Sequence, residues 1–586
     1  MVDYQSRPTM VRYLILFTTF LVALVMYLHR YSIVYVQRYL REDLGMDYEQ
    51  LSYCMSAFSV AYALAQVPSG WFSDRFGARS TLAFYVIAWS CFTALVGLTL
   101  GFVMLFLLRA AVGVSQAGGY PTAASLIKRW TPFASRGKAS SFVAFGGRMG
   151  AAITPILTAY LVIAFVPLGT PATLAERDFL DVDYFAYQID KARSAPTPGG
   201  KQAVAARLYE QFSPHGQETI RVLGARYREK ILQQRQESGA EPKYDPRLSR
   251  NFNPMPDRVE PLRTELNALL GAGQVYTADD FVELSLDREA ISLAALAERT
   301  TPQQERLHRL ALETVFPESV RKIYGQGWRP VMFLYGGLGI AVAVLFWLVF
   351  RERPAEHPWC NRDEQALIEK GQPLPTPTTQ ARAFPWKKIL ESRNLWLMAT
   401  NHFFGNLGWV FLVSWLPRYL DEVHQTPYLE RNWLASMPLV FGWVGILVGG
   451  WLTDHLTQRF GLRYRTASIV LGRFMAAAAF LSCMYAPNVW FATAAFALIA
   501  FSNDLCNPAS WAFKQDVGGR YVGAILGWTN MFGNFGAALS PVLLNEIITR
   551  FGWSPTFMTG AAAFAIAGFA AVGIDASIPV DDGKDA

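Results

Sequence analysis

The chain has 586 residues, 52% of them apolar, with 53 Lys+Arg against 46 Asp+Glu and a formal charge of +7. Charged residues reach only 17%, short of the about 25% of soluble globular chains. With a mean hydropathy of +0.18 this excludes a disordered chain, argues against an ordinary soluble enzyme, and calls for a run of transmembrane helices embedded in a lipid bilayer.

The first apolar span covers roughly residues 12–36. It is about 25 residues long and has no small-residue cleavage site, so it reads as a retained first helix rather than a signal peptide. Four more spans follow at roughly 52–72, 80–99, 102–127 and 138–166. Residues 167–326 then break the pattern: 44 of these 160 residues are charged, against 55 of the other 426. This block reads as a soluble, mostly helical insert, with helical stretches at Ala203–Gln234 and Ala290–Val315. It contains no GxSxG, HExxH or Walker pattern. A sixth span lies at roughly 328–350, and six more at roughly 394–417, 431–453, 465–486, 489–511, 520–545 and 553–574. The five cysteines form no CxxC or Cys/His cluster, so no metal and no cofactor is implied.

Basic residues fix the orientation. Arg75 and Arg79 follow span 2, Lys128, Arg129, Arg136 and Lys138 follow span 4, and seven Lys or Arg between 351 and 388 follow span 6. Arg459, Arg463 and Arg465 follow span 8. All four loops fall on one side, which the positive-inside rule makes cytoplasmic. Both termini are then cytoplasmic, and the insert 167–326 lies outside an inner (cell) membrane. A basic balance can signal nucleic-acid binding, but here the basic residues flank apolar spans and no nucleic acid is implied.

The two halves repeat. Gly70-Trp71-Phe72-Ser73-Asp74-Arg75 matches Gly450-Trp451-Leu452-Thr453-Asp454-His455. Gly147-Arg148-Met149-Gly150-Ala151-Ala152-Ile153-Thr154-Pro155 matches Gly533-Asn534-Phe535-Gly536-Ala537-Ala538-Leu539-Ser540-Pro541. Gly327-Trp328-Arg329-Pro330 matches Gly552-Trp553-Ser554-Pro555. The sequence therefore predicts an all-α membrane protein of twelve transmembrane helices in two six-helix repeats, with the insert between helices 5 and 6. The divisions are 1–166, the insert 167–326, helix 6 at 327–352, a cytoplasmic linker at 353–393, the second half at 394–576 and a tail at 577–586.

Gly70-x-x-x-Asp74-Arg75-x-Gly77-x-Arg79 after span 2 and Arg109-x-x-x-Gly113 in span 4 resemble motifs of the major facilitator superfamily. Within it the chain is similar to the anion:cation symporters, which include hexuronate, glucarate and galactonate transporters. That likeness is carried by Tyr27-x-x-Arg30, Gln116-Ala117-Gly118-Gly119-Tyr120-Pro121, Trp415-Leu416-Pro417-x-Tyr419-Leu420 and Arg353-Pro354-Ala355-Glu356-His357-Pro358. It implies a secondary transporter of a small organic anion, a sugar acid first, working by alternating access and proton-coupled symport. Two positions depart from the pattern. His29 stands where the family has an acidic residue, and Gln116 stands where it has Glu. The proton or other coupling ion must then find another group.

Charge inside a bilayer is costly and marks function by default. Arg30, with Tyr27 beside it, is the candidate carboxylate anchor, its alternative a structural pair with another helix. Arg148 and its repeat counterpart Asn534 either face a central cavity or lock helix packing. Asn401, His402 and Asn406 lie on span 7, and one or two of them could reach the cavity. His29 could take a proton or serve as a neutral hydrogen-bonding group. Asp504 and Arg473 read as a mutually neutralising pair, with Asp504 next in line after His29 for proton coupling. Arg109 reads as a brace between helices. Gly70, Asp74, Arg75, Gly77, Arg79 and the repeat residue Asp454 form the expected cytoplasmic gate. The insert could cap the outer mouth, mediate oligomerisation or bind a partner. A different class of function, a transporter-derived sensor, and transport of phosphate or amino-acid-like anions are the alternatives.

Overall fold

The computed structural model describes residues 7–132, 136–194, 200–238, 256–272, 276, 284, 286–369, 386–518 and 522–578. Gly70 and the side chains of Asp74 and Arg75, three of the expected gate positions, lie outside the described residues, as do 370–385 of the linker and 579–586 of the tail. The regular structure among the described residues is helical, apart from one isolated antiparallel bridge between Phe179 and Val320.

The first bundle holds α1 (Val11–Tyr35), the short α2 (Gln37–Leu44), α3 (Tyr48–Phe76), α4 (Ala78–Val96), α5 (Phe102–Ala117), α6 (Gly119–Trp130) and α7 (Arg136–Ala164). Next come α8 (Val182–Arg193), α9 (Lys201–Gln211), α10 (Pro214–Ser238), α11 (Pro256–Ala272), α12 (Arg288–Ala294) and α13 (Thr301–Val315). The chain then returns to the first bundle with α14 (Trp328–Val349) and crosses over through α15 (Arg362–Glu369) and α16 (Trp386–Glu391). The second bundle holds α17 (Arg393–Ser414), the short α18 (Leu416–Glu422), α19 (Tyr428–Phe460), α20 (Ala467–Cys483), α21 (Val489–Gly518), α22 (Val522–Phe551) and α23 (Trp553–Val572). By length and composition, ten of the described helical stretches are long and apolar enough to cross a membrane. The helices α3 and α17, of 29 and 22 residues, fall short of that hydropathy and pack against α5 and α22.

Local chemistry sets the helix ends. Asp47 accepts from the Gln50 backbone N–H at 2.8 Å while the Gln50 side chain reaches back to the Asp47 N–H, a capping box that opens α3. Gly77 closes it at φ 85°, a conformation that only glycine takes freely. Gly461 closes α19 at φ 88°. Both sit in an Arg-Phe-Gly-x-Arg string, Arg75 to Arg79 and Arg459 to Arg463, with an offset of 384. The Asp74/Asp454 offset is 380. So α19 carries one extra turn past its aspartate. Asp454 lies six residues before the end of its helix and is exposed, whereas Asp74 lies two residues before the end of α3. The one-turn extension places Asp454 away from the position its sequence repeat predicts.

Packing repeats the sequence symmetry. The helix α7 packs on α1 as α22 packs on α17, and α3 packs on α5 as α19 packs on α21. A Cβ at Gly150 would strike the Leu24 carbonyl, and one at the repeat position Gly536 would strike the Phe403 carbonyl. Small residues here let the backbones touch, which is how helices gain contact where no hydrophobic effect separates them from lipid. The two bundles meet through α3 against α22 and α7 against α19. The insert helices bury their own apolar seam, including Phe185, Ile189, Leu208, Leu223 and Leu312. Gly536→Val should lower thermal stability by about 1–3 kcal/mol through overpacking, whereas Gly450→Val, with open space around its Cβ, should leave the melting curve in detergent unmoved.

Candidate functional site

Arg30 projects from the middle of the fold into an aromatic cage. Its guanidinium carbon lies 4.9 Å from the Tyr27 ring, 5.1 Å from Phe58 and 4.7 Å from Tyr62. Its Nε donates to Gln116 Oε1 at 3.1 Å, and Gln116 in turn donates from Nε2 to the Met26 carbonyl at 3.1 Å. That second bond fixes which way the amide faces. A glutamate at 116 would neutralise Arg30; the glutamine leaves the cation uncompensated. Buried Nη2 of Arg30 has no partner among the described residues. A buried guanidinium with a free donor and an uncompensated charge is built to take a carboxylate.

Arg148 on α7 is the second cation. Its Nη2 reaches Asp504 Oδ1 on α21 at 2.8 Å, a pair between the two bundles. Tyr27 and Tyr31 neighbour both Arg30 and Arg148, and Trp409 of α17 lies 5.6 Å from the Arg148 guanidinium. Asn503 and Asn507 donate to the same Oδ1 of Asp504 at 3.3 and 2.9 Å. Asp504 is 1% exposed.

The remaining candidates fall elsewhere. His29 turns its ring away from Arg30: Nε2 donates to the Tyr335 carbonyl of α14 at 2.7 Å, and the ring packs toward Ser90 and Gly339. One residue along a helix is a turn of about 100°, enough to send neighbours into different interfaces. Arg473 pairs not with Asp504 but with amides. It donates to Asn503 Oδ1 at 2.7 Å and Asn401 Oδ1 at 3.3 Å. Asn401 spends its amide on the Ala567 carbonyl and is 1% exposed, so it is a packing residue of the second bundle. Asn406 lies against Gly533, and Asn534 donates to its own helix at the Asn530 carbonyl. His402 meets Ser510 Oγ at 2.9 Å. Arg109 is buried over the Phe58 ring at 4.8 Å and braces α5 on α3. Among the gate residues, Glu352 accepts from the Arg79 backbone N–H at 2.7 Å, pairs with Arg129, and would collide with any Cβ at Gly77. Sequence reading missed Glu352; its place one residue past Arg351 at the end of span 6 was the available signal.

At the insert end the bundles are tied by charge, a feature the apolar spans did not announce. Arg38 of α2 reaches Asp421 of α18 at 2.7 Å and Glu42 at 2.9 Å, and Arg431 pairs with Asp421 at 2.5 Å. Arg41 reaches Glu318 of the insert at 3.2 Å. Arg418 stacks on Tyr48 of α3 at 3.4 Å and pairs with Glu422 at 2.7 Å. Tyr428 Oη donates to the Tyr35 carbonyl at 3.0 Å.

A profile of the Major Facilitator Superfamily matches residues 15–171 and 322–541. The chain belongs to that superfamily. It is therefore a transporter and not an enzyme, and the match skips most of the insert. The chain is 22% identical over 563 residues to the probable galactarate/D-glucarate transporter GudP of Bacillus subtilis, covering 93% of this chain and 88% of that one. It is 21% identical over 575 residues to the probable sulfoacetate transporter SauU of Cupriavidus necator, covering 97% and 95%. A D-galactonate transporter of Escherichia coli matches at 33% over 153 residues, 26% of this chain and 36% of that one. Among solved structures, an inward-facing bacterial homologue of the human lysosomal transporter Spinster superposes with a TM-score of 0.55 at 15% identity, covering 96% of both chains.

Burial alone would raise the Asp421 carboxyl, but Arg38 and Arg431 outweigh it and hold it well below the usual carboxylate range. A depressed carboxyl contributes stability that is present above its unfolded value and lost as pH falls through its folded value. The network should thus stay intact across about pH 5–8. Asp421→Asn, which takes the carboxylate from buried Arg431 and leaves Arg38 to Glu42, should cost about 3–5 kcal/mol, read as a lower melting temperature. Disrupting the exposed Arg353–Glu356 pair should cost under about 1 kcal/mol.

Proposed function

We propose that this chain is a secondary active transporter of a small organic anion, first a sugar acid of the aldarate, aldonate or hexuronate type, working by alternating access with proton symport. The observation that carries this reading is Arg30, a buried guanidinium with a free Nη2, a neutral partner and three aromatic faces around it. The tyrosines supply hydroxyls for the polyol of a sugar acid, and the ring faces hold the guanidinium at small cost. The printed names of the relatives, transporters of galactarate/D-glucarate, sulfoacetate and D-galactonate, favour an anion of this class.

In this reading twelve helices cross an inner membrane: the ten apolar ones together with α3 and α17. Both termini lie in the cytoplasm, and the insert stands outside above the Arg38–Asp421 network. Arg30, Tyr27 and Arg148 form the substrate site, with Asn406 and Asn534 on the facing bundle. Gly70, Asp74, Arg75, Gly77 and Arg79 work the cytoplasmic gate, where Glu352 receives the Arg79 backbone and Arg129. The two bundles rock about the central site, and the contacts of α3 with α22 and of α7 with α19 are the surfaces on which they pivot.

Arg30→Ala should abolish binding and uptake of radiolabelled D-glucarate and D-galactonate, a loss of about 100-fold or more for a buried charged hydrogen bond worth about 3 kcal/mol. Arg30→Lys should rescue poorly, because a point charge does not reproduce the planar fork. Wild-type affinity in Arg30→Ala, measured by isothermal calorimetry across a panel of organic anions, would remove Arg30 from the site.

A further inference from the structure

We propose that Arg148 and Asp504 form the coupling lock of this transporter: a substrate carboxylate takes Arg148 from Asp504, and the freed Asp504 takes a proton. The proposal rests on the reading of the chain as an organic-anion transporter and identifies the group that makes transport proton-driven.

Three observations lead to it. First, the two positions that resemble the family's acidic pair hold His29 and Gln116, and neither is available. His29 donates from Nε2 to the Tyr335 carbonyl and turns its ring into the seam with Ser90 and Gly339, so its Nδ1, unpartnered among the described residues, lies away from the anion site. Gln116 is an amide that cannot carry a proton. Second, Asp504 is an intramembrane carboxylate, 1% exposed, whose one ion-pair partner among the described residues is Arg148, at 2.8 Å. Third, that pair joins α7 of one bundle to α21 of the other, so any relative movement of the bundles must stretch it.

The charge balance dictates the sequence of events. With no ligand, Arg148 and Asp504 neutralise each other. When a dianion such as D-glucarate sets one carboxylate on Arg30 and the other on Arg148, both new pairs are neutral and Asp504 is left negative in a buried site, the nearby Arg473 being bonded to Asn503 and Asn401. A stranded buried charge costs several kcal/mol, which a proton removes. One proton is therefore taken up for each carboxylate that displaces Asp504, and a neutral Asp504 no longer holds the bundles together. All three donors, from Arg148, Asn503 and Asn507, converge on Oδ1. None among the described residues reaches Oδ2, which is thus left for the proton. Beside Oδ2 stands Gly442 of α19, where a Cβ would come within 2.7 Å.

The titratable groups around Asp504 are few, Cys506 of the same helix among them. Arg148 from α7 and Arg473 from α20 are the charged neighbours of Asp504. Tyr27, Tyr31 and Tyr120 neighbour Arg148. The helix α19 has no titratable residue from Asn432 to Thr453, and α22 has none from Val522 to Asn545. His402 of α17 has Lys514 and Arg473 as its charged neighbours, so a proton there would add to two positive charges.

The test uses the full chain in proteoliposomes with radiolabelled D-glucarate and a trapped pH dye, the membrane potential clamped. An inward gradient of about one pH unit should drive accumulation of up to about tenfold for one proton per anion, with dye-detected proton uptake that begins on adding glucarate. Asp504→Asn should abolish both the accumulation and the proton signal while retaining glucarate counterflow exchange. Asp504→Glu, which keeps the carboxyl, should restore accumulation and covers the case in which the Asn variant fails to fold. Concentrative, proton-accompanied uptake in a folded Asp504→Asn would overturn the lock. Wild-type uptake that ignores the gradient and moves no proton would overturn it too, while leaving anion transport standing. Wild-type protein that neither binds nor exchanges any anion of the panel would instead overturn the transport reading, and the lock with it.

Discussion

A charge withdrawn from water into an apolar interior must find a partner, and the partner it finds defines what it can do. Four arginines within the helical bundles, Arg109 and Arg473 buried and Arg30 and Arg148 half-buried, show the range. Arg473 meets two asparagine amides and stays inside one bundle. Arg109 meets an aromatic ring and braces two neighbouring helices. Arg148 meets a carboxylate across the bundle interface. Arg30 meets one fixed amide and keeps a free Nη2. Arg109 and Arg473 also lack a carboxylate and each keep a buried Nε without a partner among the described residues, but both are closed inside one bundle, so position as well as pairing sets Arg30 and Arg148 apart.

The bundles themselves need little more than small residues. The carbonyls of Leu24 and Phe403 sit where a side chain at Gly150 or Gly536 would stand, and both glycines belong to the repeated Gly-x-x-Gly strings of α7 and α22. Close backbone approach fixes α7 on α1 and α22 on α17. That in turn presents Arg148 to the second bundle, and leaves Asn534, its repeat counterpart, to bond its own helix. Symmetry in the backbone thus coexists with asymmetry in charge: the cationic groups of the proposed site, Arg30 and Arg148, both belong to the first bundle.

Much of this was legible in the sequence because it depends on composition and spacing. The apolar spans, the charged block at 167–326 and the glycine strings of α7 and α22 are patterns that a helix imposes on any chain. What was not legible depends on helix phase and on contacts between distant segments. His29 and Arg30 are adjacent, yet the first serves α14 and the second faces α5. Asn401 looked like a cavity residue, but its phase points it at α23. Arg473 and Asp504 were matched by their signs, whereas Arg148, 356 residues before Asp504, makes the actual pair. The extra turn between Asp454 and Gly461 was visible only as two offsets, 380 and 384, that a single alignment cannot satisfy.

The insert follows the same logic of partnered charge. Toward the first bundle it is held by ions: Arg321 pairs with Asp43, Arg41 meets Glu318, and Glu42 receives the Lys322 backbone. Both of its ends are also covalently continuous with that bundle, through α7 and α14. Toward the second bundle its contacts are fewer and neutral on one side. Lys201 donates to Gln425 at 2.7 Å, and Asp287 accepts from the Tyr428 backbone N–H at 2.8 Å. That carboxylate sits at the N-terminus of α19, where the helix dipole favours it by a few tenths to about 1 kcal/mol. Separating the bundles at this end therefore costs the insert two polar contacts on one side and none of the ion pairs on the other. The larger cost is the Arg38–Asp421 pair, which joins the bundles directly. A segment of this size can stand between α7 and α14 because, among the described residues, nearly all of its strong contacts stay with the bundle that carries it.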